Sequence, residues 1–168
     1  MPWKTEKEQK AKTQCTKLQR QFQIEIFNFV GRKTSDVFRN NRKRTSTLEK
    51  LSTVIYEKTI VNTGGHYNTF DGVFVAPRSG TYFFSWTSCT SSANYAFTEL
   101  MVENQLIARA GVYEHAGNNH CGSMTSLCKM NKEDHAWIRT TPYGPKHYFY
   151  FHRNTPSSSF LGMLMSSE

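Results

Sequence analysis

The chain lacks any apolar run long enough to cross a membrane, which takes about 18 residues. Its first 20 residues are charged rather than apolar, and no Asn-x-Ser/Thr acceptor for N-glycosylation occurs. These absences predict that this chain carries neither a membrane span nor a secretory signal. Export is therefore not indicated by any targeting segment of the sequence.

Several chemical signatures are also missing. The four cysteines include no Cys-x-x-Cys pair, so a structural zinc site is not expected. No Gly-x-Ser-x-Gly elbow occurs, and the glycine pair at residues 64–65 lacks the lysine and the helix of a phosphate-binding loop. The sequence therefore predicts a protein that is not an enzyme.

Positive charge is concentrated at one end of the chain. Residues 1–50 hold 13 of the 21 Lys and Arg and 5 of the 13 Asp and Glu, a net charge of +8, whereas residues 51–168 hold 8 of each and are neutral. The favoured interpretation of the basic segments "KEQKAK" and "NNRKR" is a solvated surface. The alternative is an arm that binds a partner. Nonspecific nucleic-acid binding by such an arm is the least favoured function.

Residues 1–23 form a basic N-terminal extension, which we call the arm. It is rich in Lys, Gln, Glu and Ala, which favours a short helix, and a frayed segment is an equal alternative. Cys15, Leu18 and Phe22 share one helical face, through which copies of the arm could meet. In an oxidising compartment, Cys15 could link protomers or trimers.

The stretch "TFDGVFVAPRSGTYFFSW", residues 69–86, predicts two strands joined by a turn at residues 77–80. Period-two spacing places two sets of side chains on single strand faces: Phe70, Gly72, Phe74 and Ala76 in the first strand, and Tyr82, Phe84 and Trp86 in the second. Large rings at this period indicate a sheet core.

The rest of the chain repeats this pattern. A first strand at residues 24–31, a loop at residues 32–44 and turn-rich segments between later apolar runs give about ten short strands, and no helical period occurs after Leu51. The predicted fold class is all-β: a ten-stranded antiparallel jelly-roll sandwich, in a domain spanning residues 24–168.

An ordered set of motifs resembles the globular head domain of complement C1q. "VNTGGHYN", "DGVFVAPRSGTYFFSW", "LMVENQ", "NKEDHAWI" and "SSSFLGMLM" are similar to that family's motifs, in its order, over residues 24–167. Three positions depart from the family pattern: Gln105 and Glu133 replace glycine, and Met163 replaces phenylalanine. A collagen-like Gly-X-Y tract is absent, as in invertebrate C1q domain proteins without a stalk.

The resemblance implies a jelly roll that forms a tight homotrimer related to tumour necrosis factor. It also implies a secreted, lectin-like recognition protein of innate immunity that binds microbial glycans or other repeated surface ligands through three loop clusters. Some members bind calcium near the trimer axis, although those ligands do not map onto this chain. An alternative is an extracellular structural or carrier protein that binds metal, mineral or acidic matrix through the arm and histidines.

Two loops carry aromatic, basic and amide side chains suited to glycans or anionic ligands. The candidate ligand-binding residues lie in residues 113–120 and 139–147: Tyr113, His115, Asn118, Asn119, Arg139, Tyr143, Lys146 and His147. His115 and His120 are weak candidates for a metal site. A solvent-exposed connection without a ligand is the alternative for each of these residues.

Three cysteines lie in the predicted domain. One disulfide among Cys89, Cys121 and Cys128 is expected, which leaves the third thiol free. Cys128 alternates in phase with Met130, so we expect it to be a buried free thiol.

Overall fold

The structure, a computed structural model, describes residues 24–28, 44–151 and 157–167. These residues form twelve strands: β1 (Ile24–Asn28), β2 (Arg44–Glu49), β3 (Lys58–Asn62), β4 (Tyr67–Asn68), β5 (Val73–Val75), β6 (Gly80–Ser91), β7 (Tyr95–Val102), β8 (Gln105–Tyr113), β9 (Asn119–Met130), β10 (His135–Thr140), β11 (Lys146–Phe151) and β12 (Ser159–Ser167). Within those ranges there is no helix that could cross a membrane.

The strands form a sandwich of two five-stranded antiparallel sheets. Sheet I has the order β3-β1-β12-β6-β9, and sheet II has the order β4-β5-β10-β7-β8. A separate antiparallel pair joins β11 to β2. Strands far apart in sequence are neighbours in both sheets, as in β6 beside β12. The predicted jelly roll is therefore confirmed.

Aromatic rings from both sheets fill the core. Tyr82, Phe84 and Trp86 of β6 are fully buried, as their spacing predicts. The Phe84 ring stacks on Phe160 of β12 with centroids 5.8 Å apart. It also meets Phe74 of β5 edge-on at 5.6 Å, and this contact joins the two sheets.

One buried hydrogen bond crosses the core between the sheets. The indole Nε1 of Trp86 in β6 donates to Thr98 Oγ1 in β7 at 2.9 Å. A buried indole N–H needs such a partner. Because Thr98 points inward, its neighbours Phe97 and Glu99 lie on the outer face of sheet II.

The prediction that Phe70 shares a strand face with Phe74 is wrong. Phe70 is 90% exposed, because β5 begins only at Val73. The preceding residues form a turn in which Asn68 Oδ1 accepts from the Phe70 N–H at 2.9 Å and Asp71 Oδ1 accepts from the Val73 N–H at 3.0 Å. Local Asn and Asp hydrogen bonds therefore override the period-two pattern.

Strands β6 and β9 extend beyond their predicted ends. Residues 88–91, in the Ser-rich stretch "TSCTSSANY", and residues 119–121, in "EHAGNNHC", are predicted as loop residues but pair in the β6–β9 ladder. Position-by-position pairing with a neighbour outweighs the turn preference of these residues.

Two strands have no counterpart in the sequence prediction. Strand β2 pairs with β11 from Arg44 opposite Phe151 to Glu49 opposite Lys146, and β4 spans only two residues beside β5. Short polar strands without a strong alternating pattern are defined by their partners rather than by their own residues.

Strand β1 lies inside sheet I and pairs with both β12 and β3. The arm with Cys15, and the loop expected at residues 32–44 except for Arg44, lie outside the described residues. The helical arm, the Cys15 cross-link and the domain boundary at residue 24 therefore stay predictions.

Among the described residues, six non-glycine residues have left-handed backbone conformations, and three of them lie in the turns before β8 and β10. Glu103 and Asn104, which connect β7 to β8, have φ values of 46° and 65°, as a two-residue type I′ hairpin requires. The sequence predicts a turn at residues 103–105, and the structure limits it to the first two residues, since Gln105 already begins β8. Glu133, where the C1q pattern has glycine, has a φ of 73°. Its N–H donates to the Ala76 carbonyl at 2.8 Å, which ties the turn before β10 to the end of β5.

Replacing Glu133 by glycine is expected to stabilise the domain. The left-handed conformation costs an L-residue about 1–2 kcal/mol, whereas the added freedom of glycine in the unfolded chain costs about 0.4–1 kcal/mol. We expect Glu133→Gly to raise the free energy of unfolding in urea by about 0.5–1 kcal/mol. Glu133→Ala is the control, because it removes the same side chain but keeps the strain. An equal gain in both variants would contradict this explanation.

Candidate functional site

A groove of about 510 Å³ opens on the outer face of sheet II. One wall belongs to β7 and β8, and the other belongs to the loop that follows β10. Its lining residues are Phe97, Arg109, Ala110, Thr141, Pro142 and Tyr143. The volume lies within the range of about 300–1,000 Å³ that is typical of small-molecule sites.

Aromatic rings shape the groove. Tyr143 from the loop packs against Phe97 with centroids 5.2 Å apart and meets Tyr95 edge-on at 5.5 Å. Gly144 has a φ of 65°, and any side chain there would overlap the Tyr95 hydroxyl. Glycine therefore lets the loop fold closely over β7 and present the Tyr143 ring, which is 63% exposed.

His147 supports this loop from inside the domain. Its Nε2 donates to the Thr141 carbonyl at 3.1 Å, and its Nδ1 accepts from the Phe97 N–H at 3.1 Å. This pair of bonds requires the neutral ring, protonated at Nε2. Burial lowers the pKa of His147, an effect opposed by its backbone hydrogen bonds to Thr141 and Tyr143. The ring is fully buried, so His147 positions the groove and cannot itself contact a surface ligand.

A buried carboxylate anchors two arginines beside the groove. Glu99 of β7 is fully buried. Its Oε2 accepts from Arg109 Nε of β8 at 3.0 Å, and its Oε1 accepts from Arg139 Nε of β10 at 2.7 Å. The three residues are aligned across adjacent strands, and we call them the Glu99 triad. The triad holds the Arg109 guanidinium in the groove wall.

The other candidate loop joins the groove through one residue. Tyr113 stacks on Tyr95 with centroids 6.4 Å apart, and His115 packs edge-on against Tyr113 at 4.2 Å. The aromatic set of the groove thus continues across Tyr95 to the end of β8. Both Tyr113 and His115 are exposed.

The remaining candidates lie elsewhere or play another part. Arg139 binds Glu99 and is not a lining residue. Lys146 begins β11 opposite Glu49, and Asn118 and Asn119 lie at the start of β9. These positions do not contribute to the groove walls.

Sequence reasoning missed most of the groove wall, including Phe97, Arg109 and Pro142. One signal was available: Tyr95, Phe97 and Glu99 alternate along β7, and a charged residue in an otherwise apolar strand invites a search for its partner. Its partners Arg109 and Arg139 are 10 and 40 residues away in the chain, so only the strand pairing reveals them.

The metal candidates do not form a cluster with a third ligand. His120 Nδ1 lies 2.6 Å from Glu114 Oε2, and the other oxygen of this buried carboxylate accepts from the Ala116 N–H at 2.6 Å. Across the described ranges, no group of three or more His, Cys, Asp and Glu residues could hold a metal ion. Metal binding by His115 and His120, and calcium binding, stay predictions.

The predicted disulfide among Cys89, Cys121 and Cys128 is confirmed. Cys89 of β6 and Cys121 of β9 form a disulfide at directly opposed positions, with their Cα atoms 4.0 Å apart. Cys128 is a half-buried free thiol that packs against the core, and burial raises its pKa to about 11. The disulfide clamps the end of the β6–β9 ladder next to residues 114–120.

The strand order and the aromatic core define a jelly-roll fold of the C1q type. The solved globular domain of zebrafish complement 1qA aligns with 86% of this chain and 98% of its own, with a TM-score of 0.63 and 15% identity, which shows the shared fold. The sequence model of the C1q domain matches residues 37–165. This chain therefore belongs to the C1q domain family.

Two curated relatives are similar in sequence. Mouse complement C1q tumor necrosis factor-related protein 2 is 23% identical over 113 residues, which cover 67% of this chain and 37% of the relative. The heavy metal-binding protein HIP of Mytilus edulis is 29% identical over 108 residues, which cover 63% of this chain and 50% of the relative. This chain thus spans half or less of the length of these relatives.

The buried neutral state of His147 predicts a pH dependence of stability. Its folded-state pKa is below 6.5, so the stability it contributes is present above pH 6.5 and is lost as the pH falls towards the folded-state value. We expect the melting temperature to decline from pH 7 to pH 5.5, and His147→Gln to flatten this decline, since a glutamine amide can both donate and accept. His115→Gln, at an exposed ring, is the control. If the melting temperature of His147→Gln declined as steeply as that of the wild type, the pH dependence would belong to other groups, among them His66.

Proposed function

We propose that this chain is a non-enzymatic, lectin-like recognition protein that works as a homotrimer. It binds glycans or other repeated surface ligands, as in innate defence against microbes. The observation that carries the proposal is the aromatic groove with one arginine in its wall, on the sheet opposite to an apolar row that is partly exposed to solvent. One face can thus join copies of the chain while the other binds ligand.

The apolar row lies on the outer face of sheet I. Leu127 of β9, Phe83 of β6 and Met163 of β12 are direct cross-strand neighbours, and Leu127 is 60% exposed. Their phase is opposite to that of the buried Tyr82 and Phe84. Domains of the C1q family form trimers, and a second copy packed on this row would remove its apolar surface from water.

The groove suits a sugar ring. Tyr143 and Phe97 offer aromatic surface to the apolar face of a pyranose, and the Arg109 guanidinium provides hydrogen-bond donors for its polar groups. A trimer built on sheet I would leave three such grooves open on sheet II. Weak single-site binding would then become strong on a surface that repeats its ligand.

An extracellular location is part of this proposal. The Cys89–Cys121 disulfide is of the kind that persists in oxidising compartments and is rare in the cytosol. The structural or carrier alternative, based on the arm and on metal or matrix binding, stays a prediction. The name of the mussel relative and the Glu114–His120 pair are consistent with it.

Charge placed in the apolar row is expected to break the trimer. We predict a mass of three chains for the wild-type protein in light scattering coupled to size exclusion, and a mass close to one chain for Leu127→Asp, because an interface would then bury an unpaired charge. Leu106→Asp is the matched control, since Leu106 is an exposed leucine of sheet II. A monomeric wild type, or loss of the trimer in Leu106→Asp alone, would refute this assembly.

Removing the Tyr143 ring is expected to weaken glycan recognition. On a glycan array, Tyr143→Ala should lose at least about tenfold in affinity, equivalent to about 1.4 kcal/mol, for whichever glycans the wild-type trimer binds. Phe70→Ala removes an even more exposed ring, 90% against 63%, from the turn before β5 and should bind as the wild type does. Absence of binding to any glycan by a trimeric wild type would refute the lectin function.

A further inference from the structure

We propose that the groove selects an acidic sugar, in which one carboxylate or sulfate on a pyranose ring binds the Arg109 guanidinium while the ring packs against Phe97 and Tyr143. This inference rests on the proposed lectin function and adds the chemical class of its ligand. It is argued from the Glu99 triad and from the charge of the groove lining.

The geometry of the triad leaves hydrogen-bonding capacity unused. Arg109 and Arg139 each bind Glu99 through Nε, whereas a guanidinium carries five N–H donors. Both oxygens of Glu99 are engaged, and the carboxylate is fully buried. The Arg109 side chain is 59% exposed, so its Nη groups can reach a ligand in the groove while Nε remains on Glu99.

The charge balance favours an anion. The triad combines two positive guanidinium groups with one negative carboxylate and therefore has a net charge of +1. Arg109 is the one charged residue among the six that line the groove, so no acidic side chain of the lining opposes an incoming anion. A carboxylate or sulfate would balance the excess charge and accept two N–H bonds in parallel.

The apolar lining strengthens this preference. Phe97, Pro142 and Tyr143 surround the approach to Arg109, and they would exclude water from the ion pair once a ring occupies the groove. An ion pair in such surroundings is less screened than one in open water. A neutral sugar would use the same aromatic contacts but would leave the guanidinium without an anionic partner.

None of the six lining residues belongs to the basic N-terminal part of the chain. Residues 1–50 hold the net charge of +8, so acidic polymers can bind the chain nonspecifically and would obscure the groove. The probes should therefore be monosaccharides that carry a single charge. Methyl β-glucuronide supplies a carboxylate, glucose 6-sulfate supplies a sulfate, and methyl β-glucoside is the neutral reference.

The experiment measures affinities of these three probes for the full chain by ligand-observed NMR titration. We expect at least one charged probe to bind at least tenfold more tightly than the neutral one. Arg109→Gln should reduce the affinity of the charged probe to that of the neutral probe, a much larger loss than any change in the binding of the neutral probe. Lys132→Gln, at a lysine whose side chain is 67% exposed, controls for loss of one positive charge.

Arg109→Lys keeps the charge next to Glu99 and guards against a folding defect in Arg109→Gln. It should retain the wild-type melting temperature and trimer mass but bind the charged probe several-fold more weakly, because an ammonium cannot offer two parallel donors. If both variants bound the charged probe as tightly as the wild type does, the assignment of Arg109 would be overturned. If Arg109→Gln did not fold, wild-type affinity in Arg109→Lys would be enough to overturn it.

The possible outcomes distinguish a failure of the acidic-sugar inference from a failure of the proposed lectin function. Equal affinities for charged and neutral sugars, all lost in Tyr143→Ala, would overturn the acidic-sugar inference and keep the lectin function. Equal losses in Lys132→Gln and Arg109→Gln would show general charge attraction and would also overturn it. Binding of no sugar by the folded trimer would overturn both.

Discussion

The hydrogen bond from the Trp86 indole to the Thr98 hydroxyl couples the two sheets at the centre of the core. Leaving either group unpaired in this apolar setting would cost about 1–3 kcal/mol. Together with the burial of Ala96, Leu100 and Val102 on the same side of the strand, the bond sets which face of β7 points inward. A slip of one residue would turn every side chain of the strand over, and Phe97 and Glu99 would then lie in the core instead of in the groove.

The two outer faces of the sandwich have different chemistry because the strands that build them alternate in different ways. In β6, rings occupy inward positions, yet Phe83 also places a ring outside, beside Leu127 and Met163. In β7, the outward positions carry Tyr95, Phe97 and Glu99, which serve the groove. The outward residues of two strands thus produce two different faces. One is apolar and suits self-association, and the other is aromatic and cationic and suits ligand binding.

Much of the fold could be predicted because its patterns are local. The rings of β6, the turn at Glu103 and Asn104, and the jelly-roll class all follow from period-two spacing and turn chemistry. The prediction was wrong for Phe70, where side-chain hydrogen bonds of Asn68 and Asp71 form a turn. It also missed β2, which is defined by its pairing with β11. Of the candidate loop residues, Tyr143 lies in the groove wall. His147 is instead buried, where it supports the loop from inside the domain.

The sequence alone determined most of the strands, the neutral body with a basic end, and the membership in a β-sandwich family, because alternation and charge are properties of neighbouring residues. The tertiary structure decided which cysteines pair and which charges meet. Cys89 and Cys121 are 32 residues apart, and Glu99 takes Arg109 and Arg139 from two other strands. Such partners come together only when antiparallel registers are established, and a register is a property of the assembled sheet rather than of any one strand.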